Sequence, residues 1–293
     1  MYGFGPVKDV WEQMMKMMQR RVVLLVMILA AVLWWPAQAA GQDVPNDDPD
    51  LDLVPLQPDF SVIAMPTALR LPRYKSAFRI THRFARPLGT GDFSDLAEDL
   101  FGIDSGAQIG LEYRFGIVRG GQIGLNRTSD RTVEFFAQYD LMQEREGRWV
   151  NMAVIGAIDG TNNFRNSYTP ALGFVVSRSF APIGTVFLQP IWVNNSNPLP
   201  SQLVNDNDSF VLGIGTRIRV RPTVYLVGEI IPRTAGNNPG VNQGAFGIEK
   251  RAGGHVFQLN ISNAFGTTLG QIARGGASND DWYLGFNISR RFY

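Results

Sequence analysis

The sequence predicts an all-β chain that closes into a transmembrane antiparallel up-and-down β-barrel of about twelve strands. Three observations carry that expectation. Apolar and polar residues alternate with a period of two from Lys75 to the C-terminus, the connections alternate between long and short, and the polar face of the strands is charged. The organisation that follows is a cleaved signal over residues 1–39, a flexible acidic and proline-rich periplasmic leader over 40–74, and the barrel over 75–293.

Gln19, Arg20 and Arg21 precede an unbroken apolar run from Val22 to Trp35, and Pro36 leads into Ala37, Gln38 and Ala39. A basic region, an apolar stretch and small residues spaced A-x-A are the order of an export signal, which places cleavage at Ala37 and Ala39. The run is shorter than the roughly 20 residues that a membrane-crossing helix needs. Met14, Met15, Met17 and Met18 are alternative starts. The leader carries Asp43, Asp47, Asp48, Asp50 and Asp52 among Pro45, Pro49, Pro55 and Pro58. Acidic residues interleaved with proline bury too little apolar surface to order a segment, hence the flexible reading. A calcium loop is the functional rival, but the central Gly and closing Glu of that pattern are missing.

Twelve strands are expected near residues 75–84, 107–117, 122–128, 132–142, 149–157, 169–178, 183–193, 208–219, 223–232, 242–250, 254–262 and 281–292. In the last, Trp282, Leu284, Phe286 and Ile288 alternate with Tyr283, Gly285, Asn287 and Ser289; such a period of two is the mark of a strand with two different faces. Except after the third strand, odd-numbered connections are long and even-numbered ones short, the asymmetry of extracellular loops and periplasmic turns. A soluble sandwich would also alternate, but its inward face would be apolar. Here the polar parity holds Arg79, Arg83, Glu112, Arg114, Glu134, Asp140, Arg217, Arg219, Glu229 and Glu249, five cations and five anions that suit a lumen. No stretch after the signal is long and apolar enough for a transmembrane helix. Tyr74, Phe84, Trp149, Tyr168, Phe180, Trp192, Trp282 and Phe292, near strand ends, fit interfacial girdles.

The final Arg290, Arg291, Phe292 and Tyr293 resemble the C-terminal recognition strand of outer-membrane proteins, with Phe292 on the apolar face and Tyr293 one register off. Phe78 to Phe84, and Leu100 to Gly106 followed by Leu111, Glu112 and Tyr113, resemble an uncharacterised bacterial family of membrane-bound β-barrel domains. The resemblance covers about residues 70–293 and implies fold and outer-membrane location, without an activity.

Composition excludes several chemistries. Lys plus Arg number 27 against 26 Asp plus Glu, a net charge of +1, so nucleic acid is not an expected partner. With no Cys there is no disulfide, thiolate nucleophile or lipid-anchor cysteine, and no cofactor is expected. His82 and His255 lie in different strands without metal-ligand spacing. Ser262, seven positions after His255, is a poor nucleophile candidate, since neither a G-x-S-x-G elbow nor a His-x-Ser pair is present, and the glycine spacings form no phosphate loop. Apolar residues at Phe93, Leu96, Ala97 and Leu100 predict a short helix in the first long loop, over or inside the mouth. The arginines are the informative feature, because guanidinium pairs bidentately with carboxylates and can fill a narrow tube. The expected function is a narrow, non-enzymatic pore or binding channel for small polar solutes. A closed barrel that displays surface loops, and an outer-membrane hydrolase, are the alternatives. The expected partners are the lipid bilayer, the barrel-insertion machinery through the C-terminal strand, and a small polar solute.

Overall fold

The computed structural model describes residues 54–197, 207–236 and 241–293. Ala37, Ala39 and the rest of the signal lie outside the described residues, as does the leader before Val54. Thirteen strand segments form one antiparallel sheet: β1 Ser76–Pro87, β2 Ala107–Val118, β3 Gly121–Thr128, β4 Val133–Met142, β5 Asn151–Gly160, β6 Asn166–Phe180, β7 Gly184–Val193, β8 Ser209–Arg221, β9 Val224–Ile231, β10 Arg233–Gly236, β11 Gln243–Ala252, β12 His255–Ser262 and β13 Tyr283–Phe292. β10 continues β9 past Pro232, whose carbonyl still accepts from Leu212 on β8 at 2.9 Å, so the barrel has twelve staves. Ser76 pairs with Phe292 and Ala77 with Arg291, so β1 and β13 join and no edge remains. Closure satisfies every stave's ladder, which a sheet in hydrocarbon requires.

The alternation translates into two faces. On β6, Leu172 and Phe174 are 56% and 45% exposed while Ala171 and Val175, on either side of that pair, are buried. Leu188, Ile214 and Ile230, neighbours across β7, β8 and β9, likewise face outward. Short turns at Arg119–Gly120, 143–150, 181–183, 222–223 and Gly253–Gly254 close one end, where β1 begins and β13 finishes. Longer connections close the other. The long loop expected between Asp159 and Tyr168 is instead a tight turn, because β5 and β6 extend toward each other and Asn162 and Asn163 take positive φ there, a backbone region that asparagine tolerates.

Two further expectations are corrected. The helix in the first long loop, α1 (Phe93–Glu98), forms with Asp92 as its N-cap. The turn that follows α1 lies outside the rim, with Gly102 against Phe84 and Arg86. Phe84, expected in the girdle, is therefore buried there and packs at a tilt against the rings of His82 and Phe286. The element that enters the mouth is α2 (Leu269–Ala273) in the last loop, all five residues of which are buried.

The second correction concerns the leader. From Leu56 to Leu71 it is not a flexible extension but an ordered plug inside the barrel: Val62, Ile63, Met65 and Thr67 have no exposed surface. The chain enters at the turn end and folds back in a hairpin, Thr67 N–H donating to Phe60 O and Val62 N–H to Met65 O, both at 2.8 Å. It leaves by the same end to begin β1. Its acidic residues before Asp59 suggested disorder, yet Phe60, Val62, Ile63, Met65, Leu69 and Leu71 supply the apolar surface that pays for order. Inside, Ala64, Met65 and Ala68 pack with Ala153, Ile155, Val175, Ile191 and Val211 of the wall and with Leu269 and Ile272 of α2 in one apolar core. Gly213 makes room for the hairpin, since a Cβ there would stand 2.7 Å from Met65 Cε and 2.5 Å from Gln189 Oε1. Gly213→Val is expected to unseat the plug by overpacking, at a cost of about 1–3 kcal/mol, while leaving the lipid face and the folded barrel's gel mobility unchanged.

Candidate functional site

A hairpin with two backbone cross-links of its own, and one from the Thr67 hydroxyl to Asp59 O, leaves most of its backbone polar groups to be paired elsewhere, and buried groups of that kind need partners. The polar face of the barrel wall provides them. Glu229 on β9 accepts from three successive backbone N–H groups at the hairpin tip: Ile63 at 3.0 Å, Ala64 at 2.8 Å and Met65 at 3.2 Å. Carbonyls are met by a ring of amides. Gln122 donates to Leu69 O at 3.1 Å, Gln138 to Thr67 O at 3.0 Å, Gln189 to Pro66 O at 3.1 Å, Gln258 to Val62 O at 2.7 Å and Asn287 to Ile63 O at 3.2 Å. Tyr225 Oη donates to Pro55 O at 2.6 Å, and Thr185 Oγ1 to Leu56 O at 3.0 Å.

The charged residues singled out from the sequence lie on the inner wall, but few of the arginines pair with the carboxylates among them. Two pairs bond to each other. Arg217 meets Glu249 at 2.9 Å, spanning from β8 to β11 past β9 rather than to an adjacent stave. Arg114 bonds Glu112 on its own strand, under the rings of Phe60 and Phe136. The others turn to the plug, to α2 or to neutral groups. Arg79 donates to Ile63 O, Arg217 also reaches Ser61 O at 2.8 Å, and Asp140 is held by Arg70 of the plug. Glu134 accepts from Leu269 N–H at 2.7 Å, the start of α2, and Arg83 donates to Asn287 Oδ1 at 2.9 Å. Arg219, nearer the turn end, is half-buried and has no side-chain partner among the described residues. Outside the strands, Glu146 in the β4–β5 turn bonds Arg70 Nη1 at 2.8 Å, and that hydrogen bond holds its carboxyl below the usual glutamate range.

The loop end is closed by α2. Thr268 caps it and donates to Asp159 Oδ2 at 2.6 Å, while Gln271 donates to Asp130 Oδ2 at 2.9 Å. Between plug tip and α2 remains a cavity of about 20 Å³, lined by Ser61, Ala64, Glu112, Glu134 and Leu269 among others. That holds about one water. Above α2 a mouth of about 360 Å³ opens between Gln108, Asp130, Phe265 and Arg274. No cluster of His, Asp or Glu with metal-site geometry occurs among the described residues. His82 faces outward, stacked 4.8 Å from Phe286, and Ser262 faces inward on a different strand face from His255.

The plug, the amide ring (Gln122, Gln138, Gln189, Gln258, Asn287) and α2 are the elements that sequence reasoning missed. A signal was available: β5 and β7 are apolar on both parities, as in Ala153 and Ile155 or Ile191 and Val193 on the inward side. An inward apolar row needs an apolar occupant.

These features define a closed membrane β-barrel whose lumen is occupied by its own chain. The chain belongs to the family described as membrane bound beta barrel domain (DUF5777), matched over residues 59–292, and it resides in the outer membrane, where single-chain bacterial barrels are found. No curated protein is significantly similar. Among solved structures, the chain is similar to the COG4313 outer membrane channel from Pseudomonas putida F1, with 11% identity, 76% of this chain and 97% of that one covered, and a TM-score of 0.47. For Acinetobacter baumannii outer membrane protein Omp33 the values are 8%, 75%, 98% and 0.43. A triple mutant of Rhodopseudomonas blastica porin gives 12%, 63% and 0.35, and the match spans 55% of that porin's length.

Proposed function

We propose that the protein is a non-enzymatic channel for small polar solutes whose resting state is closed by its own N-terminal hairpin. The observation that carries this reading is how the plug is held. Its contacts to the charged and amide-rich side of the wall are hydrogen bonds that water can replace, and both arms exit at the turn end, so withdrawal requires no threading. With the plug out, the wall groups that now bind backbone would face solvent as the polar lining of a conduit. Near balance of cations and anions there favours weak ion selectivity over a single-sign ring. The apolar core shared by wall, hairpin and α2 supports a second reading, a permanently closed structural barrel.

Planar-bilayer recordings on three forms separate the two: the mature chain, a chain lacking residues 54–71, and that deletion with residues 266–277 replaced by a short Gly-Ser linker. The channel reading expects low conductance from the first and stepwise increases in the others. A double variant that folds, by heat-modifiable gel mobility, yet conducts no more than the intact chain would establish the structural barrel instead.

A further inference from the structure

The inner wall at the turn end holds two guanidinium groups whose side chains no described residue bonds. Arg219 lies near the turn end of β8 and Arg251 near that of β11, two residues beyond Glu249, both on the inward parity, whereas Arg221, past a bulge, pairs with Val224 on the outward parity. Register brings them together. Arg219 stands opposite Tyr225 on β9, Tyr225 stands opposite Glu249, and Arg251 N–H donates to Thr223 O at 2.9 Å. The two flanking staves are therefore about 10 Å apart across β9, two strand spacings. Glu249, the nearest wall carboxylate, is already engaged by Arg217 and by Gln258 at 3.0 Å. Asp59 of the plug is engaged by Ser289 Oγ at 2.7 Å. Neither the Arg219 nor the Arg251 side chain makes a hydrogen bond or ion pair with a described residue, while most other inward cations are partnered.

We propose that Arg219 and Arg251, facing each other across Tyr225, form an anion-binding site at the periplasmic mouth, built for a ligand with more than one oxyanion group. Like charges clustered on one rim repel, and a multivalent anion bridging β8 and β11 relieves that repulsion; planar guanidinium forks favour carboxylate and phosphate oxygens. Tyr225 ties Pro55 between the two flanking staves, so the plug's first residues pass beside the site. The ligand chemistry has two sources. One is a free solute. The other is the chain's own sequence, in which Asp47, Asp48, Asp50 and Asp52 stand within seven residues of Val54 and would act at a high effective concentration. The site stands whether or not the barrel conducts.

Isothermal titration of the mature chain in detergent with pyrophosphate tests it, beside an Asp47→Asn, Asp48→Asn, Asp50→Asn, Asp52→Asn variant and an Arg219→Gln, Arg251→Gln variant. Binding by the mature chain that falls at least tenfold in the arginine variant supports the site and a free-solute source. Binding seen only in the aspartate variant supports the site with the chain's own carboxylates as its ligand. If neither the mature chain nor the aspartate variant binds, or if the arginine variant binds as well as they do, the proposal is wrong. Should the double arginine variant fail to fold, Arg219→Gln alone is expected to weaken binding severalfold, and an unchanged affinity there overturns it equally.

Discussion

Glu229→Ala is expected to unseat the plug while leaving the barrel folded. The carboxylate is buried and accepts from three consecutive backbone N–H groups, and alanine provides no replacement acceptor. Each buried donor left without a partner costs roughly 1–3 kcal/mol. The lowest sum, about 3 kcal/mol, shifts the seated-to-unseated ratio by about two orders of magnitude. Glu229→Gln keeps one acceptor oxygen and should fall between. The natural chain lacks cysteine, so one introduced thiol reports alone. Ser61→Cys is close to isosteric, and Ser61 is buried beside the tip. In the otherwise natural chain, maleimide labelling of that thiol should be slow; adding Glu229→Ala should accelerate it at least tenfold. Equal labelling rates in the two backgrounds would show that Glu229 does not hold the hairpin.

How much of this was legible beforehand follows from what each signal encodes. Period two fixes a side chain's face without reference to anything else in the chain, so the staves and the inward parity of Arg217, Glu229 and Glu249 could be read residue by residue. What the inward residues touch depends on packing across the lumen. Arg217 finds Glu249 two staves away and a plug carbonyl besides, a pairing set by barrel shear and hairpin position rather than by any local pattern. The leader misled because proline and aspartate up to Asp59 dominated its composition, while the apolar residues from Phe60 to Leu71 follow no helical or strand period. An irregular segment leaves no periodic trace, even when a barrel wall orders it completely. The glutamines were legible in position but not in role: an inward Gln could as well line a water-filled pore.

The register of the wall itself is tested by a contrast between two neighbours on β8. Ile214 lies near the strand's middle, 42% exposed, between Leu188 and Ile230 on the outer band. Ile214→Arg places a charge against lipid at a cost of roughly 2–4 kcal/mol near the midplane. The heat-modifiable folded band should be lost or much reduced. Arg217 has no exposed surface and sits inside, so its loss acts on different contacts. Arg217→Met leaves Glu249 buried with Gln258 as its remaining donor and frees the Ser61 carbonyl; breaking one side of a buried pair costs about 3–5 kcal/mol. That cost falls on plug seating rather than insertion: the folded band persists, its melting temperature drops, and Ser61→Cys labels faster. Adding Glu249→Leu removes the stranded carboxylate and should recover part of the lost melting temperature, because two apolar side chains replace a pair that was costly to desolvate. If Arg217→Met abolished the folded band while Ile214→Arg was tolerated, the two side chains would face the opposite way from the register that pairs Ile214 with Leu188 and Ile230.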